Sequence, residues 1–477
     1  MNIITRFAPS PTGYLHIGGL RTALYNYLFT KSNKGKFILR IEDTDRTRYV
    51  KDADKQLVNT IKAFGLNFDE GPIYQSQRLK IYQKYAKQLI KEKKAYYCFC
   101  TKERLDNLRK NQEKNKQVPK YDRHCLSLTD SEIQKKLKNK EPYVIRMKLP
   151  DNEIINFNDL VYGEVKINTN DLDDQVLIKS DSFPTYHLAV VVDDHEMNIT
   201  HIIRGEEWLP STPKHIILYK MFNWEIPNFA HLPLLLNPDR SKLSKRQGDV
   251  SAEDFIKKGY LPQALINYVA FLGWNPKTEK EIYSIQELIN DFAIEKVNKA
   301  GAVFDINKLN WINATYIRNI VENKTKLEKD YKYILNFIKN ILPNTNRAED
   351  ILKVFSPRLN NIQEIKELSS FIFELPNYDK NLLIFKKSNK DLTLKGLEVG
   401  LQILSSVEES RWDQENLNNV LNNALKPSNL APGDLFWPIR TALSGLDKSP
   451  SPAEILWVLG KTESLNRIKI AIEKLNT

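Results

Sequence analysis

Two prolines and a glycine, Pro9, Pro11 and Gly13, decide what the first thirty residues can become. Ile3, Ile4 and Phe7 make a short strand-like run, and the prolines and glycine then end both strand and helix. From Leu20 to Phe29 apolar residues recur at helical spacing. Strand, Gly-rich turn and helix aim backbone N–H groups and the positive end of a helix dipole at one point, so a phosphate is the expected ligand. His16 stands just before Gly18 and Gly19, placed either to face that phosphate or to cap the helix. The turn is not a Walker loop: Gly13-x4-Gly18 is followed by Gly19-Leu20 where a P-loop has Lys-Ser/Thr, which excludes a P-loop kinase.

Further along, Lys36–Glu42 reads as a strand and Asp52–Phe64 as a helix, so residues 1–80 are expected to be α/β with a parallel sheet. Ligands of such sheets bind beyond the carboxyl ends of the strands, where Glu42 falls. Residues 78–110 read as basic helix, followed by a loop around Pro119 and Tyr121. Strands are expected at Tyr143–Met147, Val161–Val165 and Gln175–Ile178. Phe183–Asp194 reads as a buried strand ending in an acidic turn, with Asp193-Asp194-His195 taken as loop hydrogen bonding in preference to a metal site. Lys242-Leu243-Ser244-Lys245-Arg246 sits in a loop flanked by Pro, Asp and Gly. From about residue 315 amphipathic helices such as Tyr331–Ile341 and Asn466–Leu475 run to the end, with breaks at 342–346 and 427–432, implying an all-α domain.

A chain of 477 residues is too long for one core. Its 41% hydrophobic and 27% charged residues are those of a soluble globular protein, and no apolar run approaches the ~20 residues of a membrane span. The N-terminus enters the first motif directly, so a cytoplasmic protein without a leader is expected. The net charge of +12 fits a polyanionic partner, and residues 84–140 hold 17 lysines and arginines against 7 acids, interleaved with Tyr96, Tyr97, Phe99 and Tyr121. All three cysteines, Cys98, Cys100 and Cys125, lie in that basic segment. An odd count argues against a disulfide framework, and the spacing fits either a zinc site needing one more ligand or unrelated free thiols.

His16-Ile17-Gly18-Gly19 paired with Lys242-Leu243-Ser244-Lys245-Arg246 resembles the two ATP motifs of class I aminoacyl-tRNA synthetases. With Arg40-Ile41-Glu42-Asp43-Thr44-Asp45, the whole N-terminal string resembles that of bacterial glutamyl-tRNA synthetases. The resemblance implies an α/β Rossmann-type catalytic domain at 1–314, with sheet halves at about 1–80 and 181–250. It implies a connective insertion at about 81–180 that grips the acceptor end of tRNA, a stem-contact region at about 251–314, and an all-α anticodon-binding domain at 315–477. ATP, with Mg²⁺, is then expected against Pro9, Ser10, Thr12, Gly13, His16, Gly18, Gly19 and Lys242 to Arg246, with His16, Lys242 and Lys245 acting in catalysis.

Glutamate is expected against Arg6, Ala8, Ser10, Glu42, Tyr186 and Arg204, with Glu42 taking its amino group. Arg204 suits the side-chain carboxylate, because a guanidinium pairs bidentately with a carboxylate and loses much of that with the amide of glutamine. Some members of the family carry zinc at the cysteines, one version with a His two residues after the third Cys, where this chain has Ser127; either Tyr121 or His124 then supplies the fourth ligand, with Tyr121 favoured, or zinc is absent. Arg358 matches an anticodon-reading arginine, with a structural role as the alternative. The expected partner is tRNA-Glu, with tRNA-Gln open as a second acceptor, and the expected state is a monomer. The helical tail separates the chain from the short relative that glutamylates a tRNA base and from glutaminyl enzymes, which carry β-barrels there.

Overall fold

The computed structural model describes residues 2–477 except Arg46, Tyr49, 244–250 and Asn344. The chain divides into two compact units, one of Met1–Ile256 with Pro262–Lys308, the other of Lys257–Leu261 with Leu309–Thr477.

The first unit begins with two βαβ steps. Strand β1 (Ile4–Phe7), helix α1 (Ile17–Ser32) and strand β2 (Lys36–Ile41) are followed by α2 (Ala53–Ala63) and β3 (Glu70–Tyr74), and β1-β2-β3 form a parallel sheet. Helix α1 starts at Ile17, three residues ahead of the expected Leu20, because His16 caps it: its Nδ1 accepts the Gly18 N–H at 3.0 Å. Both glycines therefore sit inside the first helical turn. A Cβ at Gly19 would lie 2.9 Å from Leu15 Cδ1, so the second glycine lets Leu15 pack under that turn.

After α3 (Leu79–Lys91) the expected long helix is interrupted by strand β4 (Ala95–Cys98). The stop is made by Lys93 in the left-handed region (φ 56°), with Lys94 N–H bonded to Leu89 O at 2.9 Å. Glycine normally signals such a stop, and a lysine there leaves no mark in the sequence. Helices α4 (Lys102–Lys114) and α5 (Asp130–Lys138) lead to β5 (Val144–Met147), and β4-β5-β8 is an antiparallel sheet completed by β8 (Val176–Ile178). Between β5 and β8 lies an unexpected strand, β6 (Ile154–Asp159), antiparallel to β7 (Gly163–Asn168), with Val161 and Tyr162 in the connecting turn. Its two asparagines and Asp159 weaken the apolar alternation that would announce a strand.

The segment expected as a buried strand is helix α6 (Tyr186–Glu196). Leu188 through Asp194 are buried on every side, and a short apolar run enclosed all round looks the same in sequence whether it folds as strand or helix. Strand β9 (His201–Gly205), helix α7 (Thr212–Phe222) and strand β10 (Asn228–Leu232) make the next parallel pair. The β6–β7 hairpin joins this sheet through Phe229 and Asp159, so the inserted strands do not stand apart from it. Thr200, just ahead of β9, bonds both backbone groups of Ile4, which brings β9 beside β1.

In the second unit, helices from Leu309 onward carry apolar faces inward, with Leu397, Leu417, Leu435, Ile439, Leu456 and Ile468 fully buried or nearly so. The two sampled helices extend further than the apolar pattern marks, to Glu328–Ile341 and Lys461–Asn476. Among the described residues no helix is long and apolar enough to cross a membrane.

Candidate active site

The carboxyl ends of β1, β2 and β9 and the first turn of α1 open onto one cavity of about 380 Å³. Its wall contains Arg6, Ala8, Pro9, Ser10, Thr12, Gly13, His16, Gly18, Gly19, Glu42, Tyr186 and Arg204. Residues 198 positions apart in sequence are thus placed around one ligand-sized space, where a parallel sheet offers it.

At the α1 end, His16 uses Nδ1 as the cap acceptor, so a neutral ring carries its proton on Nε2, a donor suited to a phosphate oxygen. Ser251 bridges His16 and the Ala252 N–H bonds Leu15 O at 2.8 Å, which brings the chain after the second motif against the first. Lys242 and Leu243 are not in the cavity wall: Lys242 is exposed and bridges Leu236, and the Leu243 N–H bonds Leu235 O. Ser244, Lys245 and Arg246 lie outside the described residues.

Beneath the floor runs an ion-pair cluster that includes residues no motif indicated. Asp194 accepts from Arg6 at 2.9 and 3.3 Å and from Arg40 at 2.7 Å, and Arg40 also bonds Glu42 at 3.0 Å. Asp193 accepts from Gln75, Arg78 and Tyr82, each at 2.8 Å. The acidic pair is therefore a set of buried helical counter-ions and not loop hydrogen bonding. Burial works against the Arg40 charge, but Asp194, Glu42 and Asp193 hold its pKa well above the ordinary value. Burial opposes the Asp194 charge as well, raising its pKa, but Arg6 and Arg40 more than offset that and leave it below the usual range. Glu42 goes the other way, raised because burial outweighs Arg40 and Arg6. A cationic amino group beside Glu42 would relieve that cost. The sequence marked Arg40 as the first residue of the string running to Asp45, and as a charge within an otherwise apolar strand, KFILRI, but not as a counter-ion of Asp194.

At the far end, Arg204 donates to Tyr186 Oη at 3.0 Å, Thr212 Oγ1 at 2.8 Å and His231 Nε2 at 3.1 Å. Tyr186 and Arg204 are thus adjacent in the same wall.

The cysteines converge as well. Cys98, Cys100 and Cys125 place their sulfurs within 4.8 Å of one another, the one such metal-capable group among the described residues. Tyr121 Oη lies 3.3 Å from Cys98 Sγ and 3.4 Å from Cys100 Sγ, while His124 is exposed. Contact with Cys125, then with Tyr121, draws the Cys98 thiol down to about 4 against burial, and contact with Cys98 and burial push Cys125 up. Of the aromatics interleaved with the basic charges, Tyr96 and Tyr121 are core residues, Tyr96 bonding Asp174 at 2.7 Å. Tyr97 and Phe99 are half-buried around Tyr143. In the second unit Arg358 donates to Val354 O at 2.6 Å and pairs with Glu454 at 3.1 Å.

The parallel sheet, the His16-capped start of α1 and the buried Arg204 meet around one cavity, in a chain that is a class I tRNA synthetase by family. Residues 2–311 match the family described as tRNA synthetases class I (E and Q), catalytic domain, and residues 327–472 match the anticodon binding domain. Within that class the chain belongs to the glutamate–tRNA ligase family. It is 45% identical over 486 residues to the glutamate–tRNA ligase of Clostridium novyi, covering 99% of this chain and 98% of the relative. It is 47% identical over 506 residues to that of Chloroherpeton thalassium, again covering 99% and 98%. A crystal structure of a glutamate tRNA ligase from Elizabethkingia meningosepticum in complex with its amino acid superposes with a TM-score of 0.89 at 37% identity, covering 100% of both chains.

Proposed function

We propose that the chain activates L-glutamate with ATP and transfers it to the 3′ end of tRNA-Glu. The observation that carries this reading is the cavity itself: a helix N-terminus with His16 at one end, and a buried arginine with no carboxylate partner among the described residues at the other. One end suits a phosphate and the other a side-chain carboxylate. The glutamate α-carboxylate, ionised at neutral pH, attacks the α-phosphorus of ATP, and pyrophosphate leaves. A ribose hydroxyl of the tRNA then attacks the acyl carbon and AMP leaves. No enzyme nucleophile is required; catalysis is alignment and charge neutralisation. His16 and the α1 N-terminus serve one side of the phosphates, and Lys242 and Lys245 the other. Mg²⁺ arriving with ATP would be held mainly by phosphates and water, and would neutralise phosphate charge.

Residues 1–314 are assigned to catalysis, with 81–180 on the acceptor end, and 315–477 to the anticodon, in a cytoplasmic monomer. Arg358 is read as serving the anticodon side, with a structural role as the alternative, which its bonds to Val354 O and Glu454 support. The test is charging of purified tRNA-Glu and tRNA-Gln with labelled glutamate. Charging of tRNA-Glu alone gives a discriminating enzyme, of both a non-discriminating one, and of neither, with folded protein and active tRNA, rejects the proposal.

Three sulfurs and a phenol oxygen around one point fit a structural zinc held by Cys98, Cys100, Tyr121 and Cys125. Zinc would pin β4 to the segment before α5. Protein made in zinc-supplemented medium is expected to hold one zinc per chain by elemental analysis, and Cys100→Ser to lose it and unfold at lower temperature. A metal-free wild type with the same melting temperature as Cys100→Ser would reject the site.

A further inference from the structure

Arg204 differs from the other buried arginines of the site. Arg6 and Arg40 each pair with carboxylates. Arg204 is 5% exposed, yet its hydrogen-bond partners are Tyr186, His215, His231, Thr212 and the Trp208 carbonyl. A buried cation surrounded by neutral acceptors is costly, and an arriving anion relieves it.

Because arginine only donates, it fixes the protonation pattern of its neighbours. His231 Nε2, 3.1 Å from Arg204 Nε, must offer its lone pair, so the ring proton is on Nδ1, 2.6 Å from Asp159 Oδ2. His215 Nδ1, 3.3 Å from Arg204 Nη1, accepts in the same way, and its proton on Nε2 goes to His187 Nδ1 at 3.0 Å. Burial, reinforced by Arg204, lowers the pKa of His215 and keeps it neutral. Burial also lowers His231, more than its bond to Asp159 raises it. Asp159 is itself clamped: its Oδ1 accepts the N–H groups of Val161 and Tyr162, both at 2.9 Å, in the β6–β7 turn.

We propose that Asp159 and His231 are positioning residues for amino-acid selection. Asp159 fixes the His231 tautomer, and His231 aims the Arg204 guanidinium at the side-chain carboxylate while leaving its charge uncompensated. The inference rests on the reading of Arg204 as the carboxylate-binding group.

Asp159→Asn tests it. The amide oxygen keeps the two backbone bonds of the turn, so the NH₂ group faces His231 Nδ1. The ring must accept there, its proton moves to Nε2, and it meets Arg204 donor to donor. In tRNA-Glu charging by the full chain, the KM for glutamate is expected to rise about 10- to 100-fold, the range for a lost hydrogen bond to a charged group. The KM for ATP should stay within about twofold, and the inhibition constant of glutamine should change far less than the glutamate KM. Nitrogen-15 NMR of the seven histidines should show His231 as the Nδ1–H tautomer in the wild type and Nε2–H in the variant.

A folded Asp159→Asn enzyme with unchanged glutamate KM, or with equal losses toward glutamate and ATP, overturns the proposal. If Asp159→Asn does not fold, the wild-type spectrum decides, and an Nε2–H tautomer at His231 overturns it. Arg204→Gln separates the two layers. If it weakens glutamate and Asp159→Asn does not, only the positioning role fails; if Arg204→Gln itself leaves glutamate unaffected, the underlying reading fails.

Discussion

Arg204→Gln is expected to lower kcat/KM for glutamate by roughly 30- to 5,000-fold, the equivalent of ~2–5 kcal/mol for removing one partner of a buried hydrogen-bonded charge pair. Glutamine at this position still donates hydrogen bonds but carries no charge, so the loss isolates electrostatics from shape. Glutamate and its amide are near-isosteres, and a site that tells them apart by size alone has little to work with. The environment of Arg204 argues that charge is the discriminator here. Its ligands are Tyr186, Thr212 and imidazoles whose protons point away, and none of them spends the guanidinium charge. The measurement is steady-state charging of tRNA-Glu with varied glutamate at saturating ATP, with the ATP KM as the control. A kcat/KM for glutamate within about threefold of wild type, outside the expected range, would show that Arg204 does not meet the substrate carboxylate.

How much of this was legible in the sequence depends on whether a residue's job is local. The Pro9-to-Gly19 stretch was legible because prolines, glycines and a capping histidine act on their own backbone, and the cavity wall follows from them. Tyr121 was legible as a companion of the three cysteines, with His124 as the one competitor for the place. Strand β4 was not, because its helix stop uses Lys93 in a left-handed conformation that a lysine does not advertise. Helix α6 was misread because Leu188 to Asp194 are enclosed on all sides, and enclosure erases periodicity. Asp159 and His231 were invisible for a further reason. Their partners lie at His231 and Arg204, many positions away in the chain, so nothing local marks them as paired. Arg40 was legible beside Glu42 in the quoted string, but its other carboxylate, Asp194, was not. Strand β6 was hidden differently: its main partner, β7, is the neighbouring hairpin arm, but Asn156, Asn158 and Asp159 blur the apolar alternation that announces a strand.

The buried cluster under the cavity floor yields the largest stability effect. Arg6, Arg40 and Arg78 face Glu42, Asp193 and Asp194, three cations against three carboxylates, and Asp194 serves two of the arginines at once. Asp194→Asn keeps the shape and removes the charge, leaving Arg6 without its carboxylate and Arg40 with Glu42 as its close partner. Removing one member of a buried ion pair costs about 3–5 kcal/mol, so the unfolding midpoint of the variant in urea should fall by that equivalent. The sign of the pH dependence follows from the direction of the shift. The pKa of Asp194 in the folded protein lies below the ordinary aspartate value, because Arg6 and Arg40 outweigh the burial that raises it. Its stabilisation is therefore fully present above about 3.9, the unfolded value, and is lost as pH falls through the folded one. The gap between wild type and Asp194→Asn should accordingly be flat from neutral pH down to about 5 and narrow only well below about 4. Urea midpoints of both proteins across that range measure it. A gap that narrows already between about pH 7 and 5 would assign the titration to a group with a raised pKa, for which Glu42 is the candidate, held up by burial. A gap near zero throughout would mean that Glu42 and Asp193 compensate both arginines without Asp194, and that the cluster is held by packing more than by charge.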